Sequence, residues 1–171
     1  MNGRKLHYWL GWVVLLPLAL SAVTGLLYRI GRAWFEMSRE TGDKVLHLHT
    51  GGYFGSSIAA IYVLLLGIAA LAIIVSGIRM FRKSGRRGVR RIHMTLALIF
   101  FLPLGLSAVT GMAYELGNSW FNISDGSAKV LLSLHQGSWL GPTWRPFYIL
   151  LLGAGVLGML LTGLKMLLKW R

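Results

Sequence analysis

The residues best suited to chemistry in this 171-residue chain are its five histidines. Four of them form two pairs with one spacing of 86 residues: His7 with His93, and His49 with His135. A neutral imidazole is a common ligand for transition metals and for haem iron. The chain has no cysteine, so thiolate ligands and disulfides are excluded. The spacing therefore points to metal ligation by a duplicated unit.

The same offset relates most of the chain to itself. The hexamer LSAVTG occurs at residues 20–25 and again at 106–111, and Trp34-Phe35 falls on Trp120-Phe121. Self-similarity at a fixed offset is the signature of an internal repeat. We predict a tandem duplication, with repeat one at 1–85 and repeat two at 86–171. Because LSAVTG recurs inside the chain, residues 1–25 are expected to be a retained span and not a cleaved signal peptide.

The hydrophobic composition indicates a membrane protein. The chain is 55% hydrophobic, and four apolar runs approach the about 20 residues that a helix needs to cross a bilayer. We predict spans at about 6–29, 56–79, 92–115 and 146–168 within one membrane domain covering 1–171. The predicted fold is an all-α integral membrane protein: two tandem parallel two-helix repeats in a pseudo-twofold four-helix bundle. We expect the bundle to be surrounded by membrane lipid.

The charge distribution predicts the orientation. Of the 18 basic residues, twelve lie in the N-terminus, the middle loop and the C-terminus, where no acid occurs. All five acidic residues lie in the other two connections. Basic loops face the cytoplasm, so both termini are expected there, in a multi-pass protein of the bacterial inner membrane. The same bias accounts for the net charge of +13 without a nucleic-acid partner.

This topology places one histidine pair near each membrane face. His7 and His93 open the first and third spans on the cytoplasmic side, whereas His49 and His135 precede the second and fourth spans on the outer side. Paired imidazoles in an apolar bundle suit the axial positions of haem iron, whereas a zinc site would require four protein ligands or three and water.

Small residues beside the histidines predict room for a flat macrocycle. Gly11 and Ala97 follow His7 and His93 by four residues, and so share their helix faces. The mid-span residues Gly67 and Gly153 are expected to serve in the same way.

Some roles stay open at this point. The small residues of LSAVTG, four apart, are typical of close helix packing, with direct substrate contact as the alternative. His47 has Ser133 as its counterpart, so it is either an alternative ligand in place of His49 or a solvent-exposed side chain. The basic pairs before His7 and His93 suit either haem propionates or the cytoplasmic membrane surface. All four repeated histidines could also be interfacial without any ligand.

The stretches LHYWLGWVVLLPLALSAVTG and LHLHTGGYFGSSIAAIYVLLLGIAALAIIVSGIRMF resemble the PepSY-associated transmembrane helix family, and the second half is similar to a further copy of the same unit. The resemblance implies a b-type cytochrome with two haem b groups, ligated at the positions of His7, His93, His49 and His135. Family members include inner-membrane reductases of ferric siderophores. Larger relatives insert extracytoplasmic domains between spans, and this chain has only short loops there.

The expected function is transfer of electrons across the inner membrane, as a carrier or a transmembrane ferric reductase. The donor would be quinol or a reductase protein, because no nicotinamide- or flavin-binding motif is present. The acceptor would be ferric iron, a small oxidant or a partner protein, and oligomerisation is left open. The alternatives are a cofactor-free assembly or scaffold subunit and a haem or metal transporter.

Overall fold

The computed structural model describes residues 3–81 and 88–169. Across these two ranges the chain is helical and contains no strand, which confirms the all-α prediction. The α-helices are α1 (Gly3–Trp34), α2 (Arg39–Thr50), α3 (Ser56–Met80), α4 (Val89–Trp120), α5 (Asp125–Gln136) and α6 (Gly141–Leu167), with 3-10 turns at Gly52–Phe54 and Ser138–Leu140. Residues 82–87 and Arg171, on which part of the orientation prediction depends, lie outside the described residues.

Four helices are long and apolar enough to span a membrane. They are α1, α3, α4 and α6, the last together with the 3-10 turn that precedes it. Large apolar side chains point away from the bundle, as Leu16 (78% exposed) and Leu161 (68% exposed) illustrate. The fully buried apolar residues are few and mostly small, such as Ala59, Ala60 and Ala70. An apolar exterior around a narrow interior suits contact with lipid.

The four long helices form a closed ring of contacts. Helix α1 packs against α3 and α6, and α4 packs against the same two helices, so α1 and α4 lie on a diagonal. Two of these contacts, α1–α6 and α3–α4, join the first half of the chain to the second. We call them the two seams. A separation of the halves would therefore open both seams and leave the contacts within each half intact.

At each seam, a large side chain of one helix packs on a glycine of the other. Leu26 of α1 packs on Gly153 of α6, and Met112 of α4 packs on Gly67 of α3. The prediction that Gly67 and Gly153 leave room for a macrocycle is therefore wrong, because a neighbouring side chain fills each space. Removing a side chain at these positions lets the helix backbones approach closely, as is common in membrane bundles.

The short helices α2 and α5 are built in the same way at their ends. Ser38 and Ser124 cap their N-termini by accepting a hydrogen bond from the backbone N–H three residues on. Gly51 and Gly137 end them in the left-handed conformation, with φ of 74° and 67°. Equivalent positions of the two halves thus adopt equivalent local structure, while the overall pseudo-twofold relation stays a prediction.

The seam glycines generate a stability prediction. Gly153→Leu should lower the free energy of unfolding by about 1–3 kcal/mol, the usual cost of overpacking, because a Cβ there would lie only 2.5 Å from Leu26 Cγ. Gly105→Leu is the matched control, since a Cβ at this mid-helix glycine of α4 meets no atom within 4 Å. Thermal unfolding in detergent measures both. Equal loss of stability in the two variants would contradict the seam packing.

Candidate metal centres

The structure brings the repeated histidines together as two pairs, one at each end of the bundle. At the His7 end, the rings of His7 (α1) and His93 (α4) have centroids 6.4 Å apart and planes 81° apart. At the His49 end, the rings of His49 (α2) and His135 (α5) have centroids 6.3 Å apart and planes 56° apart. Each pair takes one imidazole from each half of the chain.

These separations match two imidazoles bound to opposite sides of one metal atom. With metal–nitrogen bonds of about 2.0 Å and a nitrogen about 1.15 Å from its ring centroid, the two centroids would lie about 6.3 Å apart. Aromatic pairs without a metal have centroids about 4.5–7 Å apart, a range that includes this value, so the orientation of the ring nitrogens has to be considered as well. Both ends of the bundle thus hold their imidazoles at the spacing of a trans bis-histidine metal site.

Each imidazole is held through Nδ1 by its own half of the chain. His49 Nδ1 lies 2.9 Å from the Ser21 carbonyl, and His135 Nδ1 lies 2.8 Å from the Ser107 carbonyl. His93 Nδ1 lies 3.1 Å from the Met159 carbonyl. A carbonyl oxygen can only accept, so Nδ1 carries the proton in all three rings, and Nε2 keeps its lone pair.

His7 is in the same tautomer by a different route. Its Nδ1 lies 2.8 Å from Ser76 Oγ, and that hydroxyl donates its own proton to the Ile73 carbonyl at 2.9 Å. The serine oxygen therefore accepts from Nδ1, which leaves Nε2 free as in the other three rings. None of the four Nε2 atoms has a hydrogen-bond partner among the described residues.

A hydroxyl residue followed by glycine lies against every one of the four rings. At the His7 end, a Cβ added at Gly77 would lie 3.4 Å from His7 Cε1, and one added at Gly163 would lie 3.5 Å from His93 Cε1. At the His49 end, a Cβ added at Gly25 would lie 3.3 Å from His49 Cε1, and one added at Gly111 would lie 2.9 Å from His135 Cε1. The residues before these glycines are Ser76, Thr162, Thr24 and Thr110. Three of these hydroxyls lie within hydrogen-bond distance of the neighbouring Nδ1, at 2.8 Å (Ser76), 3.0 Å (Thr162) and 3.2 Å (Thr24).

The hexamer LSAVTG therefore contacts the histidines directly. The structure agrees with its interpretation as a packing element, but the packing partner is an imidazole as well as a helix. Sequence reasoning missed Ser76, Gly77, Thr162 and Gly163 as supports of the other pair. The signal was present, because Ser76-Gly77 and Thr162-Gly163 are themselves separated by the repeat offset.

Burial keeps the pair of His49 and His135 uncharged. It lowers the pKa of His49 to about 4, with the His135 imidazole adding a smaller effect in the same direction. Burial likewise lowers the pKa of His135 below its usual value. Both rings are therefore neutral near pH 7, which is the protonation state that a metal ligand requires.

The remaining residues predicted for the site lie apart from the ring pairs. His47 is exposed, and its ring packs on Tyr53 with centroids 5.4 Å apart, so it belongs to neither pair. Gly11 faces Leu167 of α6 at ordinary contact distance, and Ala97 is half-buried one turn after His93. Their role in making room for a macrocycle stays a prediction.

Each pair offers only two protein ligands. Among residues 3–81 and 88–169, no group of three or more His, Cys, Asp or Glu side chains could hold a metal ion together. Two imidazoles on opposite sides of a metal leave its equatorial positions to a ligand that the protein does not supply. A porphyrin supplies four nitrogens in that plane, so the donor set and its spacing fit haem.

Comparison with models of known protein families, with curated proteins and with solved structures found no match for this chain. The functional argument therefore depends on the geometry of the site and not on a relative.

The glycine contacts predict which rings are sensitive to an added methyl group. Gly111→Ala should destabilise the protein by about 1 kcal/mol or more, because the new Cβ would lie 2.9 Å from both Nδ1 and Cε1 of His135. Gly163→Ala is the control, since its Cβ would meet His93 Cε1 at an ordinary 3.5 Å. Urea or thermal unfolding of the ligand-free protein measures the difference. A Gly163→Ala variant that is the less stable of the two would contradict this account of the site.

Proposed function

We propose that the protein is a small dihaem b-type membrane cytochrome that carries electrons across the inner membrane. One observation carries the proposal: two pairs of imidazoles, one at each end of an apolar bundle, stand 6.3–6.4 Å apart with Nδ1 bound and Nε2 free. A chance meeting of interfacial histidines would explain neither the shared tautomer nor the equal spacing of both pairs.

The residues of the chain hold and shield the cofactor. His7 and His93 would ligate one haem, and His49 and His135 the other. Haem supplies a one-electron carrier, as its iron alternates between the ferric and ferrous states. The hydrogen bonds to Nδ1 fix the ring orientation and raise the basicity of Nε2. The apolar helices around the pairs limit access of water.

The positions of the two pairs suit transfer from one membrane face to the other. His7 lies in the second turn of α1, and Gly25, which contacts His49, lies 18 residues later on the same helix. At about 1.5 Å per residue, these levels are about 27 Å apart along the helix axis, close to the thickness of a hydrocarbon core. Macrocycles at both levels would shorten the distance that an electron has to cross.

The direction and the partners follow from the charge bias and the family resemblance. Basic residues at both ends of the sequence favour cytoplasmic termini, which puts the His7 end inside and the His49 end outside. The donor would then be a quinol or a reductase protein. The acceptor would be ferric iron, as in the PepSY-associated reductases that the chain resembles, or a partner protein.

Haem content tests the proposal directly. The purified chain should contain two haem b per polypeptide, with a low-spin spectrum that changes on reduction. His7→Ala or His93→Ala should remove one haem, and His49→Ala or His135→Ala the other, because each iron loses an axial ligand. His47→Ala is the matched control and should keep both, since His47 lies outside the pairs. A pyridine haemochrome assay and the reduced-minus-oxidised spectrum supply the counts.

The same measurement separates the alternatives. A colourless, folded, full-length protein would favour a cofactor-free scaffold, and a substoichiometric haem lost during purification would favour a transporter. Retention of two haems in both His7→Ala and His49→Ala would show that the paired imidazoles are not the ligands.

A further inference from the structure

Two arginines lie on the contacting helices α1 and α6 at the His49 end, without an acidic partner among the described residues. Arg29 lies near the end of α1 and Arg145 in the second turn of α6, and each is half-buried. Neither forms an ion pair with any residue that the structure describes. Arg29 lies over the ring of its neighbour Tyr28, with Cζ 5.9 Å from the centroid.

Arg145 also has an unsatisfied donor. Its Nε atom is buried and has no hydrogen-bond partner in residues 3–81 and 88–169. An unpaired buried donor on a charged group costs free energy, and so does the approach of two like charges in an apolar setting. Both costs disappear if an anion lies between the two guanidinium groups, each of which can bind a carboxylate or phosphate through two parallel hydrogen bonds.

The two arginines lie at the α1–α6 seam, just beyond the outer histidine pair. Arg29 follows Gly25, the contact of His49, by one helical turn. Leu26, which lies three residues before Arg29 and so on the same side of α1, packs on Gly153 of α6. Arg145 precedes Gly153 on α6 by about two turns. The arginines therefore lie on opposite sides of the boundary between the two halves, on the two helices that meet at this seam.

The other seam has no such cations. The repeat offset places Glu115 opposite Arg29 and Ala59 opposite Arg145 in the alignment of the two halves. Glu115 follows Met112, which closes the α3–α4 seam on Gly67, by three residues. Hence one seam at this end carries two positive charges, and the other carries a carboxylate and a methyl group.

A flat ligand between His49 and His135 would have its edges toward α6 and α3. The two rings are held by α1 and α4, which lie on one diagonal of the bundle, and a macrocycle lies across the line that joins its two axial ligands. Its edges therefore point toward the other diagonal pair, so that one edge meets α6 beside the α1–α6 seam and the other meets α3 beside the α3–α4 seam. The difference in charge between the seams distinguishes one edge of the ligand from the other.

We propose that Arg29 and Arg145 bind the two propionate carboxylates of the haem ligated by His49 and His135, and so fix its orientation with the propionates at the α1–α6 seam. The inference depends on the proposed function. It assigns these arginines as positioning residues that pair two positive charges with two negative ones. The chemistry of the site would equally fit the phosphate of a lipid headgroup, and the test is arranged to separate the two sources.

The test measures the reduction potential of the outer haem in a His7→Ala background, where it is the only haem left. Arg29→Gln and Arg145→Gln should each lower the midpoint potential, because an unpaired propionate favours the ferric state. We expect about a tenfold change in the reduction equilibrium, or about 59 mV for one electron. Glu115→Gln, at the other seam, is the matched control and should not lower the potential. In a His49→Ala background, which keeps the inner haem, Arg29→Gln should have no effect.

Haem dimethyl ester identifies the anion. The ester has no propionate charge, so replacing haem by its ester should weaken binding at the outer site of the wild type about tenfold more than in Arg29→Gln, where the charged hydrogen bond is already lost. An equal loss of affinity in the two proteins would overturn the assignment. A lowering of the potential by Arg29→Gln that depends on phosphatidylglycerol and vanishes in phosphatidylcholine vesicles would show a lipid phosphate at the arginines, and would overturn it as well.

Failure of the proposed function gives a different result. If the wild-type chain bound no haem, both the cytochrome and the arginine assignment would be wrong. If the wild type were fully loaded and neither arginine variant changed the potential of the outer haem, only the arginine assignment would be wrong.

Discussion

The hydrogen bond from each histidine Nδ1 to its own half of the chain is the constraint on which the site depends. It fixes the ring, selects the tautomer and directs the free Nε2 away from the half that holds it. The positions of the rings within each half are thus set independently of the other half. The separation of 6.3–6.4 Å between paired rings is then decided by how the halves pack. Gly67 and Gly153 control that packing because they close the two seams on Met112 and Leu26, which adjoin the glycines in contact with His135 and His49.

The same small residues serve the bundle and the site because lipid offers little hydrophobic drive for helix association. Close packing of the helix backbones and side-chain hydrogen bonds have to supply the free energy of association, and both require small residues at the contact. Thr24 and Thr110 satisfy their hydroxyls on carbonyls one turn earlier, each at 2.7 Å, and remain buried where α1 and α4 receive the short helices. The glycine that follows each threonine lets the Nδ1–Cε1 edge of an imidazole approach the helix. A larger residue at either position would displace the ring. Close helix packing and the placement of the imidazole therefore both require the dipeptide Thr-Gly.

Much of this could be predicted from the sequence, and the exceptions have a physical cause. The four spans follow from long apolar runs, and the grouping of the histidines follows from the repeat offset; both are properties of the chain itself. The support of His7 by Ser76 is different, because it joins residues 69 apart and depends on how α1 and α3 are aligned along their axes. Gly67 and Gly153 were assigned wrongly for a related reason: a glycine shows that space exists, but not which neighbour fills it. The helices α2 and α5, which hold His49 and His135, could be predicted only by recognising Ser38 and Ser124 as their N-caps.

Many of the charge differences between the two halves lie at the His49 end of the bundle. His47 and Ser133, Arg29 and Glu115, and Arg145 and Ala59 are unlike pairs that all lie at the His49 end, whereas the basic pairs before His7 and His93 keep their charge in both halves. A duplicated helical pair by itself yields two sites in which either edge of a flat ligand is equivalent. Charge differences across a boundary remove that equivalence without moving the ligating rings. The His49 end therefore has an asymmetry of charge that the histidines alone do not supply.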